Sequence, residues 1–542
     1  MTSDAQFDYV IVGAGTAGCA LAARLAEDPR TRVCLLEAGG PARHPFIHVP
    51  ALVGLAIAHP RLTWGLSTEP QPALDNRRIP LPRGRVVGGS GSINGMAYHR
   101  GHPKDYDDWA AAGNSGWSWA EVLPYFRRSE NNADHRDARV HGVDGPIHVT
   151  HIPRVNPLNQ AFLDSFAALG GYPHCDDFTG LQPEGYGLRQ ATIHRGRRDS
   201  TARALLAPAM RRPNLVVRTH AQVARIRIAG GRATGVELLA AGAQSTVDAS
   251  REVVLCAGAV HSPQLLQLSG IGPAAALESL GIGVQVDLAG VGANYHDHPA
   301  VPIALETRDT TSYGLSWRTL PRSCRDVAQY VLTRRGPLAS NVFESTAFIR
   351  SAPGVDRPDV QIAFQPARRN PNPFPLPLGH GFAFSVVNLY PRSRGEVRLA
   401  SSDPRVAPRV NPNLFGDPRD TGPVLDTMRL VRRLCDAPAF APYRATEVRP
   451  GRSARSDAEL LAYLRQAAAT VHHPVGSCRM GIDAMAVVDP SLRVRGVDAL
   501  RVVDAAVFPG IVGGNTNAPI VMVAEKAADL ISGRNRGGLH GG

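Results

Sequence analysis

The hydrophobic pattern at the start of the chain predicts a strand, a glycine-rich turn, a helix and a second strand. Residues Phe7–Val12 form a short apolar run with β-branched side chains, which is typical of a strand buried on both faces. Residues 16–27 are rich in Ala and Leu and predict a helix that Asp28-Pro29 terminates. A second apolar run, Val33–Leu36, follows. The chain therefore begins as an α/β protein with parallel strands.

Further along the chain, runs of similar texture predict more elements of this α/β part. Alternation of apolar and polar residues around Gly230-Gly231 indicates a β-hairpin. Short apolar runs that end in small residues indicate buried strands, and longer runs between turn residues indicate helices. The predicted elements are a hairpin over residues 215–239, a strand at 251–258, a helix at 259–268, a strand at 500–503 and a helix at 516–532.

The texture of the chain changes between residues 299 and 460. Strand-like runs at 359–364, 382–389 and 395–399 predict an antiparallel sheet. Residues 366–379 are rich in proline and predict a rigid cover or entrance rim rather than a partner motif. The middle of the chain is therefore expected to form a second, α+β unit.

The glycine-rich turn after the first strand has the spacing of a dinucleotide site. Gly13, Gly15 and Gly18 follow the G-x-G-x-x-G pattern, which allows a tight turn, a close backbone approach to a pyrophosphate and close helix–strand packing. Glu37 follows the second strand, where an acidic side chain can accept hydrogen bonds from a ribose diol. Strand, turn, helix, strand and acid occur in the required order, so the sequence predicts a dinucleotide site. The motif alone does not distinguish FAD from NAD.

Composition and charge exclude several classes of protein. At 542 residues, with 43% hydrophobic and 20% charged residues, the chain has the composition of a soluble globular protein with more than one core. No apolar run approaches the length of a membrane span, and a secretory leader is not expected. The net charge of +12 comes from scattered arginines rather than a basic block, so no nucleic-acid partner is predicted. Seven cysteines without a C-x-x-C pair predict free thiols in a reducing compartment.

Four motifs in order give the chain a resemblance to the glucose-methanol-choline (GMC) family of flavin oxidoreductases. The likeness spans the whole chain. Besides the N-terminal unit, the motifs are Gly84-Arg-Val-Val-Gly-Gly-Ser-Gly-Ser-Ile-Asn94, Gly258-Ala-Val-His-Ser-Pro-Gln-Leu-Leu-Gln-Leu-Ser-Gly-Ile-Gly272, and the pair His472-His473-Pro-Val-Gly-Ser-Cys-Arg-Met-Gly481 and Gly513-Gly-Asn515-Thr-Asn-Ala-Pro519.

The resemblance implies a fold and a domain division. The fold is an α/β, Rossmann-like FAD-binding domain assembled from discontinuous segments, with an α+β substrate domain whose antiparallel sheet covers the flavin. The expected FAD-binding domain comprises residues 1–155, 200–298 and 461–534. The expected substrate domain comprises residues 156–199 and 299–460, and residues 535–542 are expected to form a flexible tail.

The resemblance also implies which residues form the site. His473 matches the family's catalytic histidine, and Asn515 matches the position of its partner. The helix after Asn515 would direct its positive end at the flavin. The implied cofactor-binding residues are Gly13, Gly15, Thr16, Ala17, Gly18, Glu37, Gly88, Gly89, Ser90, Asn94, Gly95, Met96, Val223, Asp504 and Ala505. Some family members carry a flavin-linked histidine where this chain has Ile93, so FAD is expected to be bound non-covalently.

The residue types fit the oxidation of an alcohol to an aldehyde. Hydride transfer to flavin N5 requires removal of the hydroxyl proton, and an imidazole that titrates near neutral pH can accept it. An amide donor at Asn515 can hold the substrate oxygen. No metal site is predicted, since adjacent histidines point in different directions. His296 and His298, which flank Asp297, are interpreted as structural, and Cys478 as packed rather than nucleophilic.

Several alternatives stay open at the level of sequence. The leading hypothesis is an FAD-dependent alcohol dehydrogenase that resembles the choline and alcohol dehydrogenase branch. An oxidase that uses oxygen, a non-redox FAD-containing lyase and a non-catalytic flavin-binding protein are the others. The alcohol, the choice between a quinone and oxygen as acceptor, and a homodimeric state are not determined. We expect a cytoplasmic protein, with peripheral attachment to a membrane left open.

Glu344 has two opposed interpretations. The carboxylate can face the cavity and favour a cationic alcohol such as choline. Alternatively, it can lie at a strand edge and pair with one of the many arginines, which is the prediction.

Overall fold

A computed structural model describes residues 6–239, 245–369 and 378–533. The strands are β1 Phe7–Val12, β2 Val33–Leu36, β3 Leu66–Ser67, β4 Pro80–Leu81, β5 Glu130–Asn132, β6 Ile147–His151, β7 Gly185–Leu188, β8 Gln190–Ala191, β9 Ile193–His194, β10 Arg197–Arg198, β11 Leu215–Arg218, β12 Val223–Ala229, β13 Arg232–Leu238, β14 Ser245–Leu255, β15 Ile271–Gly272, β16 Val286–Asp287, β17 Pro299–Glu306, β18 Ser345–Ile349, β19 Val360–Gln365, β20 Gly381–Asn388, β21 Glu396–Arg398, β22 Arg409–Asn411, β23 Thr446–Arg449, β24 Ala469–Thr470 and β25 Leu500–Val502. The helices are α1 Thr16–Leu25, α2 Pro45–His48, α3 Val53–Ala58, α4 Pro103–Ala111, α5 Trp119–Ser129, α6 Leu158–Leu169, α7 Ala207–Ala209, α8 Gly258–Leu268, α9 Ala274–Glu278, α10 Leu320–Thr333, α11 Gly422–Cys435, α12 Asp457–Ala467 and α13 Asn517–Ser532.

The first large sheet is built on the predicted strand–helix–strand unit. Its strand order is β11-β2-β1-β14-β13-β12, and β25 pairs with β14. The pairs that β1 forms with β2 and β14 are parallel, as are those of β2 with β11 and of β14 with β25. Helices α1 and α13 pack against each other beside these strands. Strands β1 and β2 are apolar apart from Asp8, because both faces of this part of the sheet are covered.

The carboxyl ends of the parallel strands meet at one edge of the first sheet. Gly13 follows β1, Glu37 follows β2 and Cys256 follows β14. The Gly13 amide donates to the Leu36 carbonyl oxygen at 2.8 Å, which holds the first two turns side by side. Ligands of open α/β sheets bind outside this edge.

The second large sheet is antiparallel, with the order β23-β17-β20-β19-β18-β7 and with β24 beside β17. Alternate residues of β19 face opposite sides of the sheet. Val360, Ile362 and Phe364 are fully buried in a core shared with α6, α11 and α12. Their neighbours Gln361 and Ala363 face a cavity on the other side. The period of two along a strand therefore directs one face to the core and the other to the candidate site.

The structure confirms most predicted elements and corrects four. The strand predicted at 251–258 is β14, which begins at Ser245 and ends at Leu255. The hairpin is β12–β13, but residues 215–218 form the separate parallel strand β11 beside β2. The run at 395–399 lies outside the second sheet, because β21 pairs with β22 in a two-stranded ribbon. Helix α1 ends at Leu25, two residues before the predicted end at Glu27.

The domain boundaries stay a prediction. Two separate apolar cores, one around each large sheet, support a division into two units. Strand β24 pairs with the second sheet, and α12 packs in the second core, although the predicted boundary at residue 461 divides α12 and assigns β24 to the FAD-binding domain. Residues 370–377 of the proline-rich run and the predicted tail at 535–542 lie outside the described residues. Within the described ranges no helix has the length and apolarity needed to cross a bilayer.

Candidate active site

A cavity of about 1120 Å³ lies between the carboxyl edge of the first sheet and the polar face of the second. It brings together residues that lie far apart in the sequence. The predicted site residues that line it are Gly13, Gly15, Thr16, Ala17, Glu37, Gly89, Ser90, Asn94, Gly95, Met96, Val223, His473, Asp504, Ala505 and Asn515. The residues implied for the cofactor and those implied for catalysis therefore border one cavity.

Two predicted cofactor-binding residues, Gly18 and Gly88, do not line the cavity. A Cβ atom on Gly18 would lie 1.9 Å from the Gly13 carbonyl oxygen, so this glycine permits the close packing of α1 on β1. Gly88 has a φ of +89° and donates its amide hydrogen to the Ala14 carbonyl oxygen at 2.6 Å. Both glycines therefore fix the conformation of turns whose neighbouring residues line the cavity.

Two glycine loops form one wall of the cavity. A Cβ atom on Gly89 would lie 2.8 Å from Cα of Gly15, and one on Gly91 would lie 2.6 Å from Oγ1 of Thr16. Thr16 begins α1 and donates its hydroxyl to Oδ1 of Asn517, the first residue of α13, at 2.9 Å. The starts of two helices therefore converge on the loops, which suits the binding of an anionic pyrophosphate.

Glu37 is buried at the adjoining end of the cavity. Its carboxylate is 6% exposed and accepts hydrogen bonds from the amides of Ala14 at 3.0 Å and Gly39 at 2.8 Å. Burial raises the pKa of Glu37 to about 7, against the opposing effect of those amides. The remaining lone pairs can accept hydrogen bonds from a ribose diol, so the residues present fit the dinucleotide half of FAD.

Asp504 contacts the protein with its carboxylate. Oδ2 accepts hydrogen bonds from the amide of Gly258 at 2.8 Å and from the hydroxyl of Ser262 at 2.6 Å, and Oδ1 accepts one from the amide of Ala506 at 2.7 Å. The side chain therefore fixes the start of α8 against the turn after β25, and both turns border the cavity.

At the opposite end of the cavity, three polar side chains form a hydrogen-bonded row. Nη2 of Arg189 donates to Oδ1 of Asn515 at 2.7 Å. Nδ2 of Asn515 lies 3.0 Å from Nε2 of His473. A guanidinium can only donate, so the amide oxygen of Asn515 must face Arg189 and its NH₂ group must face His473. Nε2 of His473 is therefore a hydrogen-bond acceptor.

The other nitrogen of His473 contacts a second histidine. Nδ1 of His473 and Nδ1 of His298 lie 3.0 Å apart. Because Nε2 of neutral His473 accepts a hydrogen bond, its proton is on Nδ1, which donates to His298. Oδ1 of Asp297 accepts from the backbone amides of both histidines, at 2.7 Å for His473 and 2.8 Å for His298. This carboxylate fixes the backbones of the two histidines relative to each other.

The surroundings of His473 favour the neutral imidazole. Burial lowers its pKa well below the ordinary value of 6.5, and the neighbouring groups His298, His472, Arg83 and Arg189 lower it further. At neutral pH the ring therefore carries an unprotonated Nε2 that faces the cavity.

The sequence did not single out two residues of this cluster. His298 was interpreted as structural, yet its ring contacts His473, whereas His296 does serve the backbone by accepting from the Ile511 amide at 3.0 Å. Arg189 carries no signal in the sequence. It was one arginine among many, and only the fold brings it to Asn515, 326 positions along the chain.

Glu344 corrects the prediction of a surface ion pair. The side chain is fully buried, and no ion pair between it and a described arginine is present. It is also absent from the cavity wall, although its partners Asn156 and Tyr313 line it. Its hydrogen-bond donors are the amide of Asn156, Nδ2 of Asn159 and the hydroxyls of Tyr313 and Ser340. The carboxylate therefore lies behind the cavity wall and fixes the positions of Asn156 and Tyr313, which line it.

Cys478 is packed as expected. It is fully buried, and burial raises the pKa of its thiol well above the ordinary value. Across residues 6–239, 245–369 and 378–533 no group of three His, Cys, Asp or Glu side chains could hold a metal ion.

Family models match most of the chain. The N-terminal model of GMC oxidoreductases matches residues 7–300, and the C-terminal model matches residues 391–524. The chain belongs to the GMC oxidoreductase family. It is therefore an FAD-dependent oxidoreductase that acts on CH–OH groups, which confirms the fold class, the cofactor and the enzyme class expected from the motifs.

Similar proteins extend over the full chain. An "Oxygen-dependent choline dehydrogenase" of Sinorhizobium fredii is 45% identical over 98% of this chain and 96% of that protein. An "Alcohol dehydrogenase [acceptor]" of Pseudomonas putida is 40% identical over 97% and 96%. Among solved structures, pyridoxine 4-oxidase from Mesorbium loti is 32% identical, with a TM-score of 0.86 over 96% of this chain and 98% of that one. A formate oxidase of Aspergillus oryzae is 29% identical, with a TM-score of 0.91 over 99% and 100%.

Acid or heat denaturation is expected to release FAD into the supernatant. Ile93 occupies the position of the flavin-linked histidine and packs in an apolar cluster with Ile47 and Val86. A hydrocarbon side chain cannot form the covalent bond. The measurement is the flavin absorbance of the supernatant and of the precipitated protein after denaturation. Flavin that remains with the precipitate would contradict the expectation.

Proposed function

We propose that this enzyme oxidises an alcohol to an aldehyde with His473 as the base and Asn515 as the group that holds the alcohol oxygen. The observation that carries the proposal is the unprotonated Nε2 of His473, 3.0 Å from the Asn515 amide on the cavity wall. When bound, FAD supplies flavin N5 as the hydride acceptor. His473 accepts the hydroxyl proton as the C–H bond breaks, so that the alcohol oxygen becomes the carbonyl oxygen.

Each neighbour of His473 has a defined task in this proposal. Asn515 donates through Nδ2 and cannot itself accept the proton. Nδ2 donates to Nε2 of His473 in the structure, so the substrate hydroxyl must take its place as the donor to that nitrogen. Nδ1 of His298 accepts a hydrogen bond from Nδ1–H of His473, which fixes the tautomer whose Nε2 carries no proton. Asp297 anchors the backbone of both histidines.

An anaerobic alcohol panel tests the function directly. We expect alcohols to bleach the flavin absorbance in the absence of oxygen, because the base and hydride acceptor need no further reagent. Admission of air, or addition of a quinone or dye, then distinguishes the acceptors. We propose a quinone-type acceptor on the resemblance to the alcohol dehydrogenase branch alone, whereas the similar Sinorhizobium fredii protein is named as oxygen-dependent. Reoxidation by air at a rate comparable to that with dye would instead assign an oxidase, and bleaching by no alcohol would contradict the proposed function.

We further propose a cytoplasmic enzyme that attaches to an anionic membrane surface through α10 and the turn before it. All seven cysteines are free thiols, which suits a reducing compartment. Apolar side chains at helical spacing are exposed on this segment: Trp317 is 81% exposed, Leu320 61%, Val327 48% and Val331 62%. The exposed basic side chains around them are Arg318, Arg322, Arg325, Arg334 and Arg335. An apolar stripe with flanking arginines is typical of a helix that lies in a bilayer interface.

The position of α10 connects this surface to the candidate site. Ser323, Asp326 and Val327 of the helix also line the cavity. A membrane-dissolved quinone would therefore meet the protein beside the cavity.

Removal of the apolar stripe is expected to weaken membrane binding. The double variant Leu320→Ser with Val331→Ser should sediment less with vesicles that contain anionic lipids, since both side chains belong to the stripe and are more than half exposed. Leu181→Ser, which removes an exposed leucine elsewhere, is the matched control and should bind as the parent does. Unchanged sedimentation of the double variant would refute the membrane surface. A dimer in light scattering that only the double variant dissociates would assign the stripe to a second copy of the chain.

A further inference from the structure

Arg189 extends into the cavity from the end of a strand. Strand β7 pairs with β18 up to Leu188, opposite Ser345, and the Arg189 amide then donates to the Glu344 carbonyl oxygen at 3.0 Å. The backbone is thereby fixed on both sides of the residue. The side chain is 5% exposed and lines the cavity, with its guanidinium at Asn515.

The charge of Arg189 is not neutralised within the described part of the chain. No carboxylate lies within salt-bridge distance, and its guanidinium forms one side-chain hydrogen bond, to Asn515. Two other buried arginines each pair with a carboxylate, Arg100 with Glu130 and Arg501 with Glu252. Arg198 also has no carboxylate partner, but its guanidinium donates to the carbonyl oxygens of residues 47, 91 and 94. Burial lowers the pKa of Arg189 to about 10, so the group is still a cation at neutral pH.

A guanidinium has five N–H donors, and Asn515 uses one of them. A buried cation with free donors is costly unless a ligand neutralises it. Its planar fork matches the two oxygens of a carboxylate.

Positive charge also predominates on the rest of the substrate side of the cavity. The acidic lining residues Glu37 and Asp504 lie on the dinucleotide side. On the other side the described lining includes one acid, Asp326, and several arginines. These arginines are Arg154, Arg322, Arg325, Arg368 and Arg369. Two of them have an acidic neighbour, since Arg368 pairs with Glu306 and Arg325 lies 3.6 Å from Asp326. The excess of positive charge attracts anions and repels cations.

We propose that Arg189 binds a carboxylate of the substrate, and that the enzyme oxidises a short hydroxy acid. The inference rests on the proposed function of His473 and Asn515. Arg189 and Nε2 of His473 are joined through one amide side chain, so the hydroxyl and the carboxylate must be separated by only a few atoms. A cationic alcohol such as choline would place its charge beside an unpaired guanidinium, and Glu344 is not available to offset it.

The test compares substrates that differ only in charge. Glycolate, β-hydroxypropanoate and γ-hydroxybutanoate are compared with ethanol, propanol, butanol and choline in anaerobic flavin reduction. The same measurements are made on Arg189→Met, which keeps the length and apolar volume of the stem, and on Arg189→Lys, which keeps the charge. Binding of propanoate, which has no hydroxyl to oxidise, is measured separately from the perturbation of the flavin spectrum.

The parent enzyme is expected to prefer a hydroxy acid to its neutral counterpart. In Arg189→Met, kcat/KM for the acid should fall about 30-fold or more, the effect of removing one partner of a buried charge pair. The neutral alcohol should lose less than the acid, because it loses only the hydrogen bond by which Arg189 orients the Asn515 amide. Propanoate binding should weaken by a similar factor in Arg189→Met and recover in part in Arg189→Lys.

The outcomes separate this inference from the proposed function. Reduction by neutral alcohols or choline but not by hydroxy acids would overturn the anion site and leave the proposed function intact. An equal loss for every alcohol in Arg189→Met, with propanoate binding unchanged, would also overturn it and make Arg189 a positioning residue for Asn515. Failure of all alcohols to reduce the flavin would instead count against the proposed function itself.

Discussion

Replacement of His473 by alanine is expected to slow flavin reduction by alcohol about 10²- to 10⁴-fold, the usual contribution of a positioned general base. FAD should remain bound, because the glycine loops and Glu37 lie at the other end of the cavity. Rapid mixing of the anaerobic FAD-loaded variant with its best alcohol gives the rate, and the flavin-to-protein absorbance ratio gives the occupancy. The loss should appear in kcat rather than only in KM, since the proton transfer occurs in the transition state.

The pH dependence of kcat/KM is an independent test of His473 as the base. Only neutral imidazole accepts the proton, so kcat/KM in the parent enzyme should rise with pH and then level off. Since burial holds the pKa of His473 well below 6.5, the rise should fall on the acid side of that value, and the plateau should include neutral pH. In His473→Ala this step should vanish.

Asn515→Ala is the matched comparison at the same end of the cavity. It removes a neutral donor and leaves the base, so its cost should be smaller than that of His473→Ala. If His473→Ala retains both the rate and the pH step, the base lies elsewhere. His472, which lines the cavity, and His99, which is buried against Phe348, would then be tested.

The sequence was most informative where function depends on local spacing. Strands β1 and β2 were predicted to the residue, because a parallel strand buried on both faces is largely apolar and its ends are marked by turn residues. The glycines and Glu37 follow those strand ends directly, so a correct prediction of the strands located one end of the cavity. His473 and Asn515 came from the family resemblance, and no local pattern of charge or periodicity would have selected them.

The sequence could not predict which residues from distant segments are in contact in the folded protein. Arg189 follows β7 in the second sheet, whereas Asn515 precedes α13 beside the first, and only the packing of the two sheets brings them to 2.7 Å. His298 reaches His473 in the same way, across 175 positions. Glu344 was assigned to the surface because an isolated carboxylate usually is exposed, but four donors from three segments enclose it. Strand β11 was joined to the hairpin because its alternation is the same, and its parallel pairing with β2 has no local signature.

Gly15 and Gly18, two of the three glycines of the first motif, are expected to have different effects when each is replaced by alanine. A Cβ atom on Gly15 would meet one protein atom within 4 Å, the Cys256 carbonyl oxygen at 3.8 Å, and its φ of −75° suits any residue. The methyl group would therefore be accepted by the fold but would occupy the wall that the pyrophosphate approaches. FAD affinity should fall about 10- to 100-fold, the effect of one overpacked methyl group. The apoprotein should keep its thermal stability.

Gly18→Ala should destabilise the fold itself, because its Cβ atom would lie 1.9 Å from the Gly13 carbonyl oxygen and α1 would be displaced from β1. The apoprotein should lose about 1–3 kcal/mol of its free energy of unfolding. Gly283→Ala, an exposed site with open space around the added methyl group, is the control and should change neither property. FAD titrations and thermal unfolding of the three apoproteins check the pattern. A Gly15→Ala protein that binds FAD like the parent would show that the pyrophosphate does not approach this turn, and the assignment of the cavity's dinucleotide end would have to be abandoned.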